Sequence, residues 1–153
     1  MTAYQNILVP IDGSATSMKG LDEAINIATL SKGRLRLVHV VDELSLVSSM
    51  GAYAAPLGEW IDALREAGQK LVEEAGAKVK AAGLEVDACL HDNIGATVSN
   101  VVLEEAKAWP ADLIVIGTHG RRGVSRVVLG SSAESIVRTS TVPVLLVRAG
   151  DAA

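Results

Sequence analysis

The sequence contains no phenylalanine and only two Trp and two Tyr in 153 residues. A core must therefore be built from Val, Ile, Leu and Ala. One cysteine, Cys89, excludes an intrachain disulfide and fits a reducing compartment. With no second Cys and no His nearby at ligand spacing, a zinc site is not expected. Basic residues are not in excess: 14 Lys and Arg stand against 18 Asp and Glu, a net charge of −4. That balance argues against a general nucleic-acid or anionic-membrane binder. Long apolar runs are missing too. The longest uncharged stretch, residues 44–58, contains Ser, Gly and Pro and is too short and polar to span a bilayer. Residues 1–6 carry no basic region ahead of an apolar stretch, so no signal peptide is expected. The expectation is a soluble, cytoplasmic protein that binds neither nucleic acid nor membrane.

What is present is a regular alternation. A chain of this length fits one domain, residues 1–153. Ile7–Ile11 reads as a buried strand. Residues 14–32 follow with Leu21, Ala24, Ile25 and Ala28 at helical spacing, and Gly33 is placed to end the helix. Leu35–Val41 is a second strand, and residues 42–56 form a long connection. Residues 57–82 make an amphipathic helix stopped at Gly83. Residues 84–90 alternate Leu84, Val86, Ala88 and Leu90 with Glu85, Asp87 and Cys89, which predicts a strand with one wetter face, as at a sheet edge. His91 is expected to start a loop. A helix over 96–108, a buried strand Leu113–Ile116, a glycine-punctuated segment 117–130, a helix over 131–140 and a last strand over 143–147 complete the order. Strict strand–helix alternation predicts an α/β fold, a single doubly wound domain with a parallel sheet and helices on both faces.

The chemistry gathers after the fourth strand. Gly117 and Gly120 follow Leu113–Ile116 directly, and Gly130-Ser131-Ser132 opens the next helix. Glycines let a backbone approach a ligand closely. A helix N-terminus offers unpaired N–H groups and a partial positive charge. Together they suit a phosphate. Ser131 and Glu134 also have capping-box spacing, so Ser131 has a purely structural alternative. Arg121, Arg122, Arg126 and Arg138 stand against Glu134 alone over residues 117–138, so basic charge collects where an anion would sit; Arg121 and Arg122 are the better phosphate candidates. The other wall is expected from Pro10, Ile11 and Asp12 at the carboxyl end of the first strand, since ligands of open α/β sheets bind where strand order reverses. Asp12 could accept from a ribose hydroxyl or hold a phosphate-bound metal, or it could cap the helix beginning near Ser14.

The pattern Gly-x-x-Gly, nine residues, Gly-Ser, met by Gly117, Gly120, Gly130 and Ser131, resembles the nucleotide signature of the ATP-binding branch of the universal stress protein family. Ile7–Ser14 looks like the family's first strand and loop, and residues 140–147 look like its last strand. The resemblance runs from about Tyr4 to Arg148. It implies a five-stranded sheet of order 3-2-1-4-5 and adenine contacts from Pro10, Ile11 and Val40. It further implies a ribose or metal role for Asp12, and phosphate contacts from Gly120, Gly130, Ser131 and Ser132. The ligand implied is ATP with magnesium, in a stress-response or regulatory module with little or no hydrolysis. A slow ATPase, or a binder of AMP or cyclic AMP, is the alternative.

Other nucleotide enzymes fit poorly. No Gly-Lys pair exists for a P-loop, no Gly-x-Gly-x-x-Gly follows the first strand, and Asp12 lacks the acidic partner of a phosphoacceptor domain. No catalytic residue and no metal ligand set is assigned. His119 is read as a backbone-positioning or solvent residue, and His39 as a satisfied core residue. The strand 143–147 is apolar on both faces. As an edge strand it needs cover, which predicts a homodimer by antiparallel pairing with its twin.

Overall fold

A computed structural model describes residues 3–43, 57–92, 96–118 and 129–148. Five strands, β1 (Asn6–Pro10), β2 (Arg34–Val41), β3 (Val86–Asp92), β4 (Leu113–Gly117) and β5 (Val144–Val147), form one sheet of order β3-β2-β1-β4-β5. All four pairings are parallel. The described residues also hold four helices: α1 (Ala15–Ser31), α2 (Leu57–Ala81), α3 (Val98–Ala108) and α4 (Ser131–Thr139).

Burial explains the layering. β1 and β4 lie in the middle, and Ile7, Leu8, Val9, Ile114 and Val115 are fully buried. Alternate residues serve opposite faces. On one face Ile7, Val9, Leu35 and Leu37 pack with Leu21, Ala24 and Ala28 of α1 and Val72, Ala75 and Val79 of α2. On the other, Leu8, Val38, Val40 and Ile114 pack with Val101, Val102 and Ala106 of α3 and Ala133 and Ile136 of α4. The largest buried side chains are aliphatic, as the shortage of aromatics requires. The Asp112 carboxylate accepts from the N–H groups of Gln5 (2.8 Å) and Asn6 (3.0 Å), tying the start of β1 to that of β4.

Several element ends differ from expectation by one or two residues. β3 begins two residues late, at Val86, and runs through His91, which is a strand residue and not the start of a loop. The cause is the end of α2. Gly83 takes φ 80°, and the N–H groups of Gly83 and Leu84 donate back to the Lys80 and Val79 carbonyls. Leu84 is thereby spent on closing the helix. α1 ends just ahead of Gly33, as expected, with Lys32 as its C-cap at φ 57°. At α4 the N-cap is Gly130, so Ser131 is the first helical residue and not the cap.

Candidate functional site

Sheet order places a switch between β1 and β4: the chain leaves β1 toward β2, whereas β5 lies beyond β4. A crevice opens at the carboxyl ends of strands at such a point. Two helices start there. α1 follows the loop Ile11–Ser14, and α4 begins at Gly130, whose N–H donates to the Thr118 carbonyl at 2.7 Å just past β4.

The β1–α1 loop is locked by its own polar groups. The Ser14 N–H donates to Asp12 Oδ1 at 2.8 Å. Ser14 Oγ in turn accepts from the Ser17 N–H and is the N-cap of α1. The Asp12 N–H donates to Ser17 Oγ at 3.0 Å. Gly13 bridges the turn with φ 82°. Asp12 therefore has a structural role, shaping the loop from two residues ahead of the cap.

The first turn of α4 has the opposite character. No side chain caps it at Gly130. The N–H groups at a helix start have no partner within the helix, and they carry the positive end of its dipole. Ser131 and Ser132 add two hydroxyls at the same place.

Gly117 has a reason the sequence reading did not identify. A Cβ there would stand 2.8 Å from both the carbonyl carbon and oxygen of Thr16 and 3.0 Å from the Ser17 N. The missing side chain lets the first turn of α1 sit directly on the end of β4. Gly117 thus draws the two walls of the crevice together from beneath. Gly120 and Arg121, with the rest of 119–128, lie outside the described residues.

On the β2 side, Val40 is 9% exposed and packs in the core of the α3–α4 face. The Arg34 N–H reaches Gln5 and the Val38 carbonyl reaches Ile11. Backbone direction alternates along a strand, so the Val40 N–H and carbonyl point the same way, past the last residue of β1. Ile11 is only 3% exposed. Its N–H is taken by Val38 (2.8 Å) and its carbonyl accepts from His39 Nδ1 (2.7 Å). His39 is the satisfied core residue expected, and it is also a positioning residue for the crevice. Its signal in the sequence was a polar residue inside the apolar end of a strand, Leu37–Val41. The described residues thus bring Pro10, Ile11, Asp12, Val40, Gly117, Gly130, Ser131 and Ser132 to the carboxyl end of the sheet. A separate cavity of about 520 Å³ between α3 and α4, reaching Pro110 and Thr141, lies at the opposite, amino ends of β4 and β5.

The family profile described as the universal stress protein family matches residues 3–148. The chain belongs to the universal stress protein family. Its relatives include a universal stress protein of Methanocaldococcus jannaschii, 33% identical over 146 residues that make up 95% of this chain and 82% of the relative. Among solved structures, the universal stress protein UspA from Lactobacillus plantarum superposes with a TM-score of 0.81 at 27% identity, over 97% of this chain and 100% of that one. A universal stress protein solved in complex with cAMP superposes at 0.64 and 26% identity, over 95% and 98%. The five-stranded sheet and its order are those of the family.

Two polar clusters escaped the sequence reading. At the carboxyl ends of β2 and β3, Arg65 of α2 bridges Glu43 and Asp92. A hydrogen bond shared with Asp92, then burial, pushes the Glu43 carboxyl up. The same shared bond, then Arg65, holds Asp92 down. On the α3 face of β3, Cys89 and His91 meet Glu105. Burial, and next the Glu105 carboxylate, push the Cys89 thiol up. Glu105 is 14 residues from His91, and no local spacing announces such a meeting. Among the described residues, no helix is long and apolar enough to cross a membrane.

Proposed function

We propose that the chain binds ATP, with magnesium, in the crevice between β1 and β4, and acts as a nucleotide-dependent regulatory module of the stress response with little or no hydrolysis. The observation that carries this reading is the first turn of α4, which starts at Gly130 without a side-chain cap beside the β1–α1 loop. Its N–H groups form a donor set that suits phosphate oxygens.

In this reading Gly130, Ser131 and Ser132 receive the phosphates, together with Gly120 and Arg121. Gly117 keeps the two walls in contact. Pro10, Ile11 and the outward backbone of Val40 frame the adenine. Asp12, held by the Ser14 N–H, offers its carboxylate to the ribose or to the magnesium. When bound, the magnesium neutralises phosphate charge. The neighbour solved with cAMP supports adenine as the base and keeps AMP or cyclic AMP as the second reading.

Calorimetric titration of ATP into the full chain, with and without magnesium, tests the reading. Binding by the wild type and none by Gly120→Glu is the expected pair of results. Equal heats from both proteins contradict the site.

A homodimer belongs to the same proposal. β5 is an edge strand, and Leu145 on it is 36% exposed. Antiparallel pairing with a second copy covers that edge. Light scattering at micromolar concentration is expected to return the dimer mass, and a monomer contradicts it.

A further inference from the structure

The cluster of Cys89, His91 and Glu105 lies outside the nucleotide crevice. Cys89 and His91 are two residues apart on β3, so they share a face. Their register partners are Val38 and Val40 of β2, which face α3. Glu105 projects from α3 to meet them. His91 Nε2 stands 3.2 Å from Glu105 Oε2, and Cys89 Sγ stands 3.9 Å from Glu105 Oε1. One ligand atom from each of the three residues lies within 4.8 Å of the other two.

These separations have a chemical meaning. With Zn–S of about 2.3 Å and Zn–N or Zn–O of about 2.0–2.2 Å, the edges of a tetrahedron are about 3.3–3.7 Å. The 3.2 Å gap between His91 Nε2 and Glu105 Oε2 matches such an edge, and the Cys89 sulfur, within 4.8 Å of both partners, has to draw in to complete the set. Arg36 contributes the support that metal-bound carboxylates commonly have. Its Nη1 holds Glu105 Oε1 at 2.5 Å and its Nη2 holds Asp87 at 3.3 Å, while its guanidinium lies 5.0 Å from the centre of the Trp109 ring. Oε1 is thus pinned, and Oε2 is turned toward His91. A ligating carboxylate fixed by an outer partner is the usual second layer of a metal site. The Glu105 side chain is 12% exposed and that of His91 32%, so the group is sheltered and still reachable from solvent.

We propose that Cys89 Sγ, His91 Nε2 and Glu105 Oε2 form a binding site for a borderline-soft divalent cation of the zinc type. One sulfur, one imidazole nitrogen and one carboxylate oxygen suit such an ion and disfavour magnesium or calcium, which take oxygen ligands. Three protein ligands leave a fourth position to water. Binding displaces the thiol proton to solvent. His91 neighbours Val40 in the sheet, so the ion sits one strand outward from the adenine side of the crevice and independent of it.

The test uses the chelator-treated full chain and Co²⁺. Expected are the visible bands of tetrahedral Co²⁺ and a near-ultraviolet thiolate charge-transfer band. Cys89 is the single cysteine, so that band reports this site alone; Co²⁺ held with a nucleotide has no thiolate. Added Zn²⁺ is expected to bleach both signals. Cys89→Ser is expected to abolish the charge-transfer band, and His91→Ala to weaken Co²⁺ binding roughly tenfold or more, with ATP binding unchanged in both. A measurement on the wild type covers the case of an unfolded variant: Zn²⁺ is expected to slow alkylation of Cys89 by iodoacetamide. A missing charge-transfer band at saturating Co²⁺ overturns the proposal. So does alkylation at the same rate with and without Zn²⁺.

Discussion

The crevice at β1 and β4 and the cluster on β3 are built from different materials. The crevice is made of main chain: the uncapped start of α4, the locked β1–α1 loop, and a glycine that lets helix and strand touch. The cluster is made of side chains that meet only because β3 and α3 pack together. A main-chain site constrains which residues are small, and it leaves a local pattern of glycine and serine in the sequence. A side-chain site constrains residues far apart, and it leaves none.

The largest expected effect lies under the crevice. Gly117→Ala places a Cβ 2.8 Å from the Thr16 carbonyl. Backbone on both sides cannot yield, so a loss of about 1–3 kcal/mol is expected in urea unfolding, together with weaker ATP binding as the walls part. Stability unchanged by the substitution would show that the glycine serves only the ligand.

Ser131→Glu separates binding from stability. A carboxylate in the first turn of a helix stabilises it by about 0.3–1 kcal/mol, yet here it opposes an incoming phosphate. Nucleotide affinity is expected to fall about tenfold or more, about 1.4 kcal/mol, while the melting temperature holds or rises. A fall in both would mean that Ser131 has a packing role.

His39→Phe removes the donor to the Ile11 carbonyl. A loss of about 1 kcal/mol is expected, with ATP affinity weakened through the displaced Ile11 and the phosphate wall intact. Inorganic phosphate or pyrophosphate binding, measured on the same variant, should be unaffected.

The smallest effect concerns Glu43 and its dependence on pH. Its carboxyl is raised in the folded state, so the stability it contributes is present at low pH and is lost as pH rises through that raised value. Asp92 is lowered, so its contribution is present above the ordinary carboxylate range and is lost as pH falls through its own lowered value. Glu43→Gln keeps the neutral shape at every pH. Thermal melts from acid to neutral pH should show the wild type losing ground to the variant as pH rises. A constant gap would remove the shared proton from the account.

Much of this architecture was legible in the sequence. Five apolar runs separated by helical periods implied a parallel sheet, and the resemblance to universal stress proteins supplied its order. Both agree with the structure because strands buried on two faces must read as continuous Val, Ile and Leu. The errors sit at element ends, where backbone closure outweighs pattern. Leu84 looked like the first residue of a strand, but its N–H closes α2. In the site, the positions of Pro10, Ile11, Asp12, Gly130 and Ser131 followed from the strand–loop–helix order. The reason for Gly117 did not, because it depends on Thr16, a hundred residues away and adjacent only in the fold. His91 reads as the start of a loop in the sequence, whereas it is a residue of β3, and its meeting with Cys89 and Glu105 depends on the packing of α3 on that strand.

The account stands most directly on the amide groups at the start of α4. Backbone ¹⁵N–¹H spectra recorded during an ATP titration should show the resonances of Gly130, Ser131 and Ser132 shifting together and saturating with the calorimetric affinity. Saturable binding that leaves those three resonances in place, while shifting others, would contradict it.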